Sequence, residues 1–71
     1  METTLKSGNT TRTLKVEKTE SGWELKVTES WKGQEPSEVW LSGQSTRNSE
    51  TEANRDLEKA VKEMTETGWS L

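Results

Sequence analysis

The sequence predicts an α+β fold, an antiparallel three- or four-stranded β-meander packed on one C-terminal α-helix (β-β-β-α or β-β-β-β-α). Three observations carry this. Apolar and polar residues alternate through residues 11–31, the period of a half-buried strand. "KGQEP" and "LSGQSTRNSE" then interrupt the pattern with glycine, proline and small polar residues. Beyond Ser49 the apolar spacing changes to threes and fours, the period of a helix. The 71 residues read as one small domain.

Residues 1–10 read either as a short edge strand, Thr3 to Lys6 pairing across "SGNT", or as disordered. Asn9-Thr10-Thr11 fits the glycosylation sequon but reads as a turn, because "METTLKSGNTT" holds no apolar run resembling a secretion signal. The first firm strand, 11–18, puts Arg12, Leu14, Val16 and Lys18 on one face. The next, 23–31, puts Trp23, Leu25, Val27, Glu29 and Trp31 on one face and Glu24, Lys26, Thr28 and Ser30 on the other. A four-residue loop, Thr19–Gly22, with Gly22 at positive φ, aligns the two. Lys18 then faces Trp23, Val16 faces Leu25, Leu14 faces Val27 and Arg12 faces Glu29. Apolar meets apolar, and the far pair is of opposite charge.

A third strand follows at 37–42. Val39 and Leu41 share the core parity, so Trp40 between them points away from the core. A five-residue loop would place Trp31 opposite Ser37, Glu29 opposite Val39, Val27 opposite Leu41 and Trp40 opposite Thr28. The helix is expected over 50–66. Ser49 and Glu52 form a capping box, and Ala53, Leu57, Ala60, Val61 and Met64 form one apolar stripe. Gly68 suits the left-handed C′ position, with Trp69 packing back on Met64. The expected core is Leu14, Val16, Trp23, Leu25, Val27, Trp31, Val39, Leu41, Leu57, Val61, Met64 and Trp69.

That core is thin. Six Leu and four Val stand without any Ile or Phe, and four Trp supply much of the apolar bulk. Dimerisation would enlarge it. Absence of Cys and His removes disulfides, thiolate or imidazole metal sites and the usual nucleophilic dyads. Twelve Glu make chance carboxylate pairs inevitable, and no cleft to raise their pKa values is evident, so the chain reads as not an enzyme and as needing no cofactor or metal. Glu50, Glu52 and Asp56 read as capping and solvation. Arg47 before the helix could touch an anion, but an ordinary polar loop explains it. No apolar run is long enough for a membrane span, and a cytoplasmic location is the default expectation.

The uncovered sheet face is the candidate site: Trp40, Thr28, Lys26, Lys15, Thr13 and Glu38. An aromatic among threonines with charges around it suits a protein partner or a homodimer. The runner-up is single-stranded nucleic-acid binding through Trp40, Lys15 and Lys26. In element order alone, meander then helix, the chain resembles the positive-cofactor-four-like single-stranded DNA-binding proteins. It lacks their basic strands, and its net charge of -3 makes nucleic acid the weaker expectation. No small-molecule substrate is implied. The size suits a small accessory or phage-type regulatory protein. An engineered scaffold without biological function is a further alternative, which the eleven Thr and eight Ser disfavour.

Overall fold

A computed structural model describes residues 1–39 and 46–71. Four antiparallel strands, β1 (Glu2–Ser7), β2 (Thr10–Thr19), β3 (Gly22–Trp31) and β4 (Ser37–Val39), form one open sheet in the order β1-β2-β3-β4. The helix α1 (Glu50–Glu66) packs on one face, against β2 and β3. The architecture is the α+β meander on a helix that the periodicities predict. Trp40 and Leu41 lie outside the described residues.

The β2–β3 register is the expected one, with Arg12 opposite Glu29, Leu14 opposite Val27, Val16 opposite Leu25 and Lys18 opposite Trp23. Its loop is tighter than four residues, because Thr19 and Gly22 themselves pair. Gly22 has φ +141, and a Cβ there would collide with the carbonyl oxygen of Arg47. Only glycine permits that approach.

Residues 2–7 form an ordered edge strand. Gly8, at φ +60, occupies the first central position of a two-residue turn, as a type II′ hairpin requires. Leu5 is fully buried and belongs to the core, which the sequence did not suggest because a single apolar residue has no period.

The β3–β4 register departs from expectation by two residues. Ser37 pairs with Glu29, Glu38 with Thr28 and Val39 with Val27. The cause is the turn. Lys32 (φ +51) and Gly33 (φ +74) are both left-handed, and the Gln34 N–H donates to the Trp31 carbonyl at 3.0 Å. The chain reverses tightly here, yet strand pairing resumes only at Glu29–Ser37, so residues 30–36 form the connection where a five-residue loop was expected. A two-residue shift preserves parity, so Val39 still faces the core. Glu38 therefore holds the place opposite Thr28 that was expected for Trp40.

The core is Leu5, Leu14, Val16, Leu25, Val27, Ala53, Leu57 and Met64, with Trp23, Val39, Ala60, Val61 and Trp69 packed around it. Trp31, expected inside, is 51% exposed. Its parity is right, but it lies one register row beyond Arg12–Glu29. There the Arg12 guanidinium bonds Glu29 at 2.8 Å and lies 4.6 Å from the Trp69 ring, closing the core short of Trp31.

Both ends of α1 are capped by local sequence. The Ser49 side chain accepts from the Glu52 N–H at 3.2 Å, and its hydroxyl donates to the Glu52 carboxylate. At the other end Gly68 has φ +104, and the Trp69 N–H returns to the Met64 carbonyl at 3.0 Å, a Schellman closure. Each flank of the helix is also stitched to the sheet by one residue. Arg47 exchanges both backbone bonds with Trp23 (2.8 and 2.6 Å), and Ser70 exchanges both with Lys6 (2.7 and 2.8 Å). The helix thus crosses beneath the sheet between a bridge on β3 and a bridge on the β1 edge.

Candidate protein-interaction face

Because α1 takes the face of Leu14, Val16, Leu25 and Val27, the opposite parity is left to the other side of the sheet. Strand register arranges that side in rows. Thr4, Thr13, Thr28 and Glu38 form one row across all four strands. Glu2, Lys15 and Lys26 form the next, and Glu17 and Glu24 the one after. On the other flank lie Lys6, Thr11 and Ser30.

Two of these rows oppose like charges, Lys15 against Lys26 and Glu17 against Glu24, an arrangement that alone destabilises a sheet. Glu17 resolves the lysine pair. One of its oxygens lies 3.6 Å from Lys15 Nζ and the other 3.4 Å from Lys26 Nζ. On the far side Lys26 also meets Glu38 at 3.3 Å. Lys26 therefore sits between two carboxylates, and its pKa rises above the ordinary 10.5, first through the hydrogen bond to Glu38 and then through the charge of Glu17. The threonine row is polar but uncharged, with Thr4 and Thr13 hydroxyls 3.4 Å apart.

Of the six expected site residues, Thr13, Lys15, Lys26, Thr28 and Glu38 share this face, and Trp40 lies outside the described residues. Glu17 and Thr4 were not singled out from sequence. Glu17 was accessible to reasoning, since two opposed lysines in a folded sheet need a nearby carboxylate, and Glu17 has the right parity.

The alternative anion contact at Arg47 is not what the structure shows. Its guanidinium is engaged by Asp56 through two hydrogen bonds, 2.7 and 3.1 Å, fixing the helix entry. Glu52 and Asp56 are likewise occupied, by Ser49 and Arg47. Among the described residues no helix is long and apolar enough to cross a membrane. Comparison of the chain with family models, with curated proteins and with solved structures finds no match.

Proposed function

We propose that this chain is a small non-catalytic interaction module that binds a protein surface, that of a partner or of a second copy, through the helix-free sheet face. The observation that carries this is the pairing of its cations. Lys15 and Lys26 are held by Glu17 and Glu38, beside an uncharged row of threonines spanning three strands. Such a face offers methyls and hydroxyls at its centre and mixed, internally balanced charge around them. Protein interfaces accept this composition. Affinity for a nucleic acid comes from free protein cations displacing the counterions condensed on its phosphates. Here the nucleic acid would first have to displace two carboxylates, so the protein reading is favoured over the nucleic-acid one.

The test is residue-specific photocrosslinking with a benzophenone side chain at Thr28, and at exposed Lys59 on α1 as the control. Adducts, to a second copy or to a partner protein in the source cell, are expected from position 28 and not from position 59. Equal yields from the two positions, or none from either, would sink the proposal. A parallel titration with single-stranded oligonucleotides should show no salt-sensitive binding.

A further inference from the structure

We propose that the outer edge of β1 is a pairing edge for a second copy of this chain, and that Ser70 holds it closed. This concerns the sheet edge and is independent of the face reading above. Backbone groups in a strand point alternately to either side. Met1 turns inward, its carbonyl accepting from the Val16 N–H at 3.1 Å, whereas Lys6 turns outward and spends both groups on Ser70. Thr4 and Glu2, in step with Lys6, therefore point outward too, and neither has a backbone partner among the described residues beyond that edge. Exposed edges of this kind are templates for another chain.

The edge matches itself. Antiparallel pairing about a two-fold axis at Thr4 sets Thr4 against Thr4 of the second copy and Glu2 against its Lys6, twice over. Each outward residue then exchanges both of its backbone bonds, and both charged pairs are of opposite sign. The axis is perpendicular to the sheet, so the two helices stay on one side and the two open faces become continuous. Any register avoiding Lys6 loses both charge pairs. Ser70 occupies the one residue, Lys6, that the favourable register cannot do without. The tail that carries it is anchored by Trp69 against Arg12 and so competes at high local concentration.

Sedimentation equilibrium of the full chain tests this. Ser70→Pro removes the N–H that bonds Lys6, and the dimer dissociation constant should fall at least about tenfold against wild type. In that background Lys6→Glu should abolish the dimer, and the Glu2→Lys/Lys6→Glu charge swap should restore it. A folded Ser70→Pro protein that associates no more tightly, or a dimer indifferent to Lys6→Glu, overturns the proposal. Should Ser70→Pro fail to fold, amide exchange of wild type decides. The Glu2 and Thr4 amides should gain protection on going from micromolar to millimolar protein, and unchanged exchange refutes the pairing.

Discussion

Gly22→Ala should be among the most damaging single-methyl changes available to this chain. Two costs add. At φ +141 an L-residue carries backbone strain of about 1–3 kcal/mol. The new Cβ would also be driven into the Arg47 carbonyl, which accepts the Trp23 N–H, so the bridge must open. Losing its two bonds costs about 0.5–1.5 kcal/mol each. The sum, about 2–6 kcal/mol, compares with roughly 4–11 kcal/mol of total stability for a domain of this length. Gly33→Ala is the control. It too has positive φ, +74, but its Cβ would meet nothing within 4 Å, so it carries strain alone. Urea unfolding followed by circular dichroism, with both variants in one buffer, measures the difference. At a slope near 1 kcal/mol per molar, typical of small domains, Gly22→Ala should shift the midpoint at least about 1 M further than Gly33→Ala. Equal shifts would mean that the close approach of Arg47 to Gly22 contributes nothing, and the account of the bridge would fail.

Leu5→Ala should cost about 2–5 kcal/mol in the same assay, since the side chain is fully buried. A loss below 1 kcal/mol would show that β1 is not part of the core. Ser49→Ala removes the N-cap acceptor of the Glu52 N–H and should cost about 0.5–2 kcal/mol, with Ser49→Gly losing less. The Lys26 amine, observed by nitrogen-detected NMR, should titrate above its ordinary 10.5, and Glu38→Gln should lower that value. Because its folded pKa is raised, the Lys26 contribution to stability is fully present below 10.5 and is lost as pH rises through the higher folded value. Stability between pH 6 and 9 should therefore be insensitive to this group, whereas a Lys26-dependent slope near neutrality would contradict the ion-pair geometry.

Parity explains how much of this was legible beforehand. The β2–β3 register follows from Gly22 and from four cross-strand pairs that agree, so a slip would have had to break all of them. The β3–β4 hairpin had no such redundancy. Its register hung on the turn, and Lys32 adopts a left-handed conformation that its identity does not advertise. Parity survived the two-residue slip, which is why Thr28 and Glu38 share the anticipated face although their pairing was not foreseen. Depth was harder to read than side. Trp31 has core parity yet is exposed, because the core's end is set by Arg12 and Trp69, residues far apart in sequence. Likewise parity placed Glu17 beside both lysines, but only side-chain geometry shows that it reaches both.

The Lys6–Ser70 bridge has a mechanical consequence. The tail runs antiparallel to β1, so Leu71 heads back toward Met1. A force applied between Met1 and Leu71 loads that bridge like a zipper, bond by bond, before β1 meets any load along its length. Pulled by its ends, this fold should yield softly, and the tail should be the first part to part from the sheet.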